Sequence, residues 1–350
     1  MRKGELAMAM PIPPAHSCPD NSCPDTDVLV IGHGPVAQVL SILLAQRGWL
    51  TTLADPVAVS PTYPQVVGLN EQTMRVLASC GIGSVLDLIG IPGTELEFSG
   101  AVLRFHRGPG VTMFHHSALT SVLDSRAAQL PNLQILRGRS TALLVDHGRY
   151  AEAVTGGETL TSSWVIDCDG RHSVHGHPGS RRSGRILLPP PGDISDAATL
   201  TWKLDLVLRN RAHDALLDGF DADGPLLPPA TVQTANEHGP FDSVLGPGFA
   251  LLARSDVRPL LGAARRAFLD DINTKVVHLL PAGTAADAHT AVDTENVYLP
   301  FLARFDAAAA LIRPDHHVFG FAHGDDELLD LVDDLRTQLF HPRMRPRPIE

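Results

Sequence analysis

The segment GHGPVA at residues 32–37 constrains the fold of this chain more than any other feature. It follows DVLVIG, a run of β-branched and apolar residues that predicts a buried strand. Apolar residues then recur at helical spacing from Pro35 to Arg47, and Gly48 predicts the end of that helix. The next run, WLTTLAD, predicts a second strand that ends at Asp55. This βαβ unit requires a parallel sheet covered by helices, so the predicted fold class is α/β.

The same segment predicts a nucleotide site, because G-x-G-x-x-A between a strand and a helix is typical of dinucleotide-binding folds. Gly32 permits a tight turn, Gly34 lets a pyrophosphate approach the backbone, and Ala37 is small enough for the helix to pack on the strand. Pro35 opens the helix, whose N-terminus favours phosphate charge. A carboxylate at Asp55 can accept hydrogen bonds from both ribose hydroxyls. These residues alone leave NAD and FAD both open.

Composition excludes several classes of partner and site. The 350 residues predict about two domains, with 44% apolar and 19% charged residues as in soluble globular proteins. A net charge of −11 without a basic stripe argues against nucleic acid, and no apolar run suits a membrane partner. Prolines interrupt the opening segment before a signal-peptide core, so a cytoplasmic location is expected. The 4 cysteines and 17 histidines form neither a disulfide framework nor a metal motif, so no metal site is predicted.

Proline-rich segments and apolar periodicity predict the domain organisation. Asn70 and Ser117 each precede or open a helical pattern and are expected to cap it. The last helix carries apolar residues on one face at Leu328, Leu331, Val332 and Leu335. The expected parts are a disordered extension at 1–26, a nucleotide-binding domain at 27–223, a linker at 224–241, a small α/β domain at 242–340 and a tail at 341–350.

Several further segments, in the correct order, resemble the flavoprotein aromatic hydroxylases. YPQVVGLNEQTMRVLASCGI at 63–82 is similar to the segment after the second strand, and FHHSALTSVL to the helix that passes the flavin ribityl chain. WVIDCDGRHS at 164–173 looks like the strand and turn that hold the family's Asp-Gly motif, and 196–220 resembles a long helix that follows. Within the family, the chain looks closest to the 3-(3-hydroxyphenyl)propionate hydroxylase branch.

This resemblance implies a Rossmann-like FAD-binding domain and a C-terminal thioredoxin-like domain that lacks a C-x-x-C pair. It implies FAD as cofactor, NAD(P)H as a transient reductant and a small aromatic substrate, a phenolic acid hydroxylated through a flavin hydroperoxide. Asp169 and Gly170 would contact the flavin side of the cofactor. Gln65 stands where the family often has an arginine near the cofactor phosphates, and His116 where it often has glutamine.

The resemblance breaks near 174–195, where the chain is shortened. Most of the family's substrate sheet, its Gly-Asp-Ala-Ala-His stretch and its glycine-rich loop are missing, so no catalytic residue can be named. Asp193 is either a substitute carboxylate or a helix N-cap. We therefore expect impaired catalysis, and the alternative is a non-redox nucleotide-binding or scaffold protein descended from the family. Apolar surface without its usual cover predicts a homodimer or poor solubility.

Overall fold

The computed structural model describes residues 24–57, 66–91, 95–98, 101–104, 110–169, 182–187, 191–218 and 224–340. The chain divides into two compact units, Met1–Thr201 and Trp202–Glu350. The described helices are α1 Pro35–Gln46, α2 Glu71–Leu77, α3 Gly83–Ile89, α4 His116–Ala127, α5 Ile194–Leu208, α6 Phe241–Leu245, α7 Gly262–Asp271, α8 Tyr298–Arg304 and α9 Asp325–Phe340, with a π-helical turn at Ala78–Ile82 and a 3₁₀ turn at Asp214–Asp218.

The described strands of the first unit form one large sheet and two small ones. They are β1 Thr26–Ile31, β2 Thr51–Asp55, β3 Val66–Asn70, β4 Glu95–Phe98, β5 Ala101–Arg104, β6 Val111–His115, β7 Leu133–Arg137, β8 Thr141–Asp146, β9 Ala151–Thr155, β10 Glu158–Asp167, β11 Arg182–Ser183 and β12 Ile186–Leu187. The main sheet has the order β11-β12-β10-β1-β2-β7, with β9 paired to β10 and β8 paired to β9.

Five neighbouring strands of this sheet, β12, β10, β1, β2 and β7, run parallel. In chain order they are the fifth, fourth, first, second and third, which is the strand order of a dinucleotide-binding fold. The strands at its centre are buried, and Val28, Leu29 and Val30 have no exposed surface. The chain therefore leaves β1 at the point where the strand order reverses, the place where such sheets bind their ligands.

Helix caps in the first unit test the sequence-based expectations. Asn70 caps α2 as predicted, because its side chain accepts a hydrogen bond of 2.8 Å from the Thr73 amide. The prediction for Ser117 is wrong, since α4 already begins at His116 and Ser117 lies within its first turn. Asp193 accepts a 2.9 Å hydrogen bond from the Asp196 amide, so its carboxylate serves as the N-cap of α5.

The second unit contains a mixed sheet with the order β14-β13-β17-β16-β15-β18-β19. Strands β15 and β16 are parallel, β18 is antiparallel to β15, and β19 is antiparallel to β18. With α7 after β15, α8 before β18 and α9 after β19, this arrangement is compatible with a thioredoxin-like domain. The apolar face predicted for the last helix is confirmed, because its leucines and valine are buried in α9. The strands are β13 Thr231–Gln233, β14 His238–Pro240, β15 Ala250–Ala253, β16 Lys275–Pro281, β17 Thr290–Asp293, β18 Ala309–Ile312 and β19 Val318–Ala322.

Residues 224–241, which we expected to be a linker, contribute β13 and β14 to this sheet. The Leu227 amide donates a 2.9 Å hydrogen bond to the carbonyl of His316, and the Leu227 side chain is buried in the core. The division between the two units falls at Thr201 and Trp202, inside α5 rather than at 223. No helix in the described part of the chain is both long enough and apolar enough to cross a membrane.

Candidate dinucleotide site

The turn after β1 brings the carboxyl ends of β1 and β10 together. Gly32 has a φ of +149°, and a Cβ at this position would lie 2.9 Å from Cβ of Cys168 and 3.2 Å from Oδ1 of Asp169. The next amide, that of His33, donates a 3.1 Å hydrogen bond to the same Asp169 oxygen. Only glycine allows this close approach, so the predicted requirement for glycine at the turn has a geometric cause.

Gly34 is required for a different reason. Its backbone has φ +96° and ψ −177°, a region that essentially only glycine occupies. A Cβ built at Gly34 would meet no atom of the described residues within 4 Å, so this face of the backbone is open toward them. Pro35 opens the 12-residue helix α1, and Ala37 is fully buried. The first amides of α1 and the helix dipole thus face the turn and favour a phosphate there.

Asp55 ends β2 beside this turn, and its carboxylate is already bound by protein donors. Its Oδ1 lies 3.0 Å from Nδ1 of His33 and accepts a 2.9 Å hydrogen bond from the Val57 amide. Its Oδ2 lies 3.2 Å from the same His33 nitrogen and 3.3 Å from Nη1 of Arg137. Only 4% of Asp55 is exposed, so the carboxylate is held in one orientation.

Arg137 connects Asp55 to the neighbouring helices. Its Nη2 lies 2.5 Å from Oδ1 of Asp124 on α4, and the side-chain amide of Gln38 on α1 donates to the same oxygen. Because Arg137 ends β7, which pairs with β2, the guanidinium comes from the adjacent strand of the sheet. The two ion pairs of Arg137 and the hydrogen bond from Gln38 connect β7, α1 and α4 around the end of β2.

His116 and Asp169 both lie near His33 in this turn. His116 begins α4 and is partly buried, and burial together with the nearby His33 lowers the pKa of its imidazole. Asp169 follows β10, and its amide donates to Oδ1 of Asp167 at 3.0 Å. Gln65 and Gly170, the other two predicted contacts, lie outside the described residues.

Sequence reasoning missed two residues of this site, His33 and Arg137. His33 is the variable residue of the glycine motif, and its position next to the acid-bearing strand was a usable signal. Arg137 was harder to find, since its role depends on β7 being the neighbour of β2. Within the described part of the chain, no group of three or more His, Cys, Asp or Glu residues could hold a metal ion.

Comparisons with known proteins agree with this geometry. Residues 25–184 match the model of the FAD binding domain family, and residues 224–338 match the HcaD C-terminal domain. The chain resembles the flavoprotein aromatic hydroxylases. It is 32% identical over 138 residues to the probable NADH-specific resorcinol 4-hydroxylase of Rhodococcus jostii, an alignment covering 38% of this chain and 26% of that protein. The resemblance inferred from the sequence is thereby confirmed.

A second curated protein and a solved structure are also similar to this chain. It is 33% identical over 85 residues to the 3-(3-hydroxy-phenyl)propionate/3-hydroxycinnamic acid hydroxylase of Mycolicibacterium vanbaalenii, which covers 24% of this chain and 15% of that protein. The crystal structure of the flavin-dependent monooxygenase PieE, in complex with FAD and substrate, superposes with a TM-score of 0.69 at 14% identity. That match covers 92% of this chain and 100% of PieE and shows the shared fold. The alignments with both curated relatives span less than a third of those proteins.

The adenosine-diphosphate half of FAD fits the residues present. The open backbone face at Gly34 and the start of α1 suit the pyrophosphate, and the ribose would lie near the end of β2. The flavin half would lie toward Asp169 and His116, the residues that follow β10 and β6.

Proposed function

We propose that this chain is an FAD-binding oxidoreductase that uses NAD(P)H to hydroxylate a small aromatic compound, a phenolic acid, with reduced coupling between cofactor oxidation and hydroxylation. The observation that carries the proposal is the glycine turn where the strand order of the parallel sheet reverses. This turn packs closely against Cys168 and Asp169, the two residues that follow β10. The names of the curated relatives support the aromatic substrate class and the nicotinamide reductant.

The roles of the residues follow from their positions. The amides at the start of α1 would bind the pyrophosphate, with Gly34 leaving room for it. The residues around the end of β2 would hold the adenosine end, and Asp169 and His116 would orient the ribityl and flavin end, to which the resemblance also assigns Gln65 and Gly170. FAD, when bound, would supply the redox chemistry, in which the aromatic substrate, NAD(P)H, one proton and one O₂ yield the hydroxylated ring, NAD(P)⁺ and water. The uncoupled reaction consumes the same reductant and O₂ and releases hydrogen peroxide.

A second function, non-redox nucleotide binding or a scaffold role, is favoured by one observation. Asp193 caps α5 with its own carboxylate, which is the structural one of the two uses that the sequence left open. The polar contacts of Asp193 that the structure shows are therefore structural. The two functions differ in whether FAD binds and turns over.

An absorbance spectrum of the purified protein and an FAD titration followed by flavin fluorescence test the proposal. A co-purifying flavin band, or saturable quenching at about micromolar FAD, supports it. Oxygen consumption with NAD(P)H and phenolic acids, with and without catalase, then separates hydroxylation from peroxide release. A colourless protein that quenches no flavin fluorescence overturns the oxidoreductase and leaves the non-redox function.

A matched pair of variants separates loss of the site from general strain. Gly34 and Gly246 share the same backbone region, with φ +96° and +78°, and neither has an atom within 4 Å of a built Cβ. Gly34→Ala and Gly246→Ala should therefore lower the melting temperature by similar amounts. Only Gly34→Ala should weaken FAD binding, by tenfold or more. Equal FAD affinity in both variants would place the cofactor elsewhere.

A further inference from the structure

His33 lies between Gly32 and Gly34 in the turn. Its side chain is partly exposed and contacts Asp55. Because a carboxylate only accepts hydrogen bonds, Nδ1 of His33 carries a proton and donates it to Asp55 at 3.0 and 3.2 Å. In the neutral ring this leaves Nε2 as an acceptor. Asp55 therefore fixes both the orientation and the tautomer of the imidazole.

Nε2 of His33 is buried and has no hydrogen-bond partner among the residues that the structure describes. The side chain as a whole retains 21% of its surface, so the ring lies at the edge of the site and not in the core. Buried polar atoms are nearly always paired, and an unpaired one in a native protein calls for an explanation such as a missing ligand. The atom lies at the turn where the sheet binds its ligand.

The carboxylate of Asp55 is poorly placed to take the ribose directly. His33, the Val57 amide and Arg137 together donate to both of its oxygens, and only 4% of the residue is exposed. A carboxylate that holds a histidine by one ring nitrogen commonly tunes and orients the other nitrogen for a ligand. In this chain we therefore expect the imidazole of His33, and not the carboxylate of Asp55, to contact the ligand.

We propose that His33 is a binding residue for the adenosine half of the cofactor, with Nε2 accepting a hydrogen bond from a ribose hydroxyl, and that Asp55 is the residue that positions it. This rests on the proposed function, in which the turn binds an adenosine dinucleotide. A hydroxyl suits the site because it can donate to an Nε2 that carries no proton, whereas the donors around Asp55 are already used within the protein.

The test compares ADP with its 2′-deoxy and 3′-deoxy analogues by calorimetry, alongside FAD titration. Wild-type protein should bind ADP about tenfold more tightly than the deoxy analogue that lacks the contacting hydroxyl. His33→Asn keeps a donor near the Nδ1 position but lacks Nε2, so it should bind ADP and that analogue equally. FAD affinity should fall by the same factor, while the melting temperature of the ligand-free variant stays unchanged.

His33→Gln provides the opposite isostere, because its amide reaches the Nε2 position and leaves Asp55 without this donor. It should keep part of the hydroxyl preference, whereas a purely structural role for His33 predicts that His33→Asn behaves as wild type and His33→Gln does not. Asp55→Asn should lose the preference as His33→Asn does, and the two changes together should cost no more than either one.

The outcomes separate this inference from the function on which it rests. If His33→Asn still binds ADP more tightly than the deoxy analogue, the proposed role of His33 is overturned, even if FAD binds and turns over. Tighter ADP binding in His33→Ala would show instead that the imidazole competes with the ribose for Asp55. Preference that depends on His33 in a protein that binds no flavin supports the role of His33 and overturns the oxidoreductase. No binding of ADP or FAD by wild-type protein overturns both.

Discussion

The contact between Gly32 and Cys168 supports a quantitative prediction. In Gly32→Ala the new Cβ would lie 2.9 Å from Cβ of Cys168, closer than such atoms come in real proteins. Both atoms are attached directly to the backbone, so relief requires the ends of β1 and β10 to move apart. We expect about 1–3 kcal/mol from this overlap, and a further 1–3 kcal/mol, approximately, from the φ of +149°.

The two terms can be separated because only the overlap involves Cys168. Cys168→Gly removes that Cβ, so the double variant should regain about 1–3 kcal/mol relative to the sum of the single changes. Urea unfolding followed by tryptophan fluorescence measures all four proteins, since Trp49 and Trp164 are buried in the first unit. A coupling free energy within about 0.5 kcal/mol of zero would refute the reasoning and show that the turn relaxes without moving β10.

Three further predictions concern other groups. Asp315→Ala should destabilise the second unit by about 3–5 kcal/mol in urea unfolding, because its carboxylate binds the buried Arg313; a loss below about 1 kcal/mol would contradict a buried ion pair. Burial and His33 lower the pKa of His116, so the unfolded chain binds the extra proton first and stability falls as pH drops below about 6.5. His116→Gln should show a smaller fall in melting temperature between pH 7.5 and 5.5 than the wild-type protein. Identical pH profiles for the two proteins would contradict this role of His116. Burial raises the pKa of Cys80 to about 12. In a variant that retains only this cysteine, a disulfide reagent at pH 7 should therefore react slowly until urea unfolds the protein. Rapid reaction in native buffer would show that the thiol is accessible.

The local parts of the dinucleotide site could be predicted from the sequence. β1, the glycine turn, α1 and β2 are consecutive, and each has its own signal in periodicity, glycine placement or a terminal acid. The side-chain cap at Asn70 was predictable for the same reason, because capping acts within three residues. The cap at Asp193 could be stated only as one of two uses, since the sequence does not show which group the carboxylate meets.

The parts that depend on distant segments could not be predicted. Arg137 reaches Asp55 because β7 pairs with β2, a neighbour relation set by the whole sheet. The prolines around residues 225–229 predicted a linker, yet Thr231–Gln233 pairs with β17, about 60 residues further along the chain. Strands this short have weak local signals, and their pairing within the sheet decides whether they form.

The division of the chain inside α5 has a consequence for how this protein can exchange parts. Trp202 and Leu206 pack in the core of the second unit with Phe249 and Leu251, and the Trp202 indole donates to Asp315 at 2.9 Å. The family-model match, in contrast, begins only at residue 224. A gene fusion or recombination event that joined a partner at 224 would leave this core without its tryptophan. The segment that folds as the second unit therefore starts about 20 residues before the domain that the family model matches.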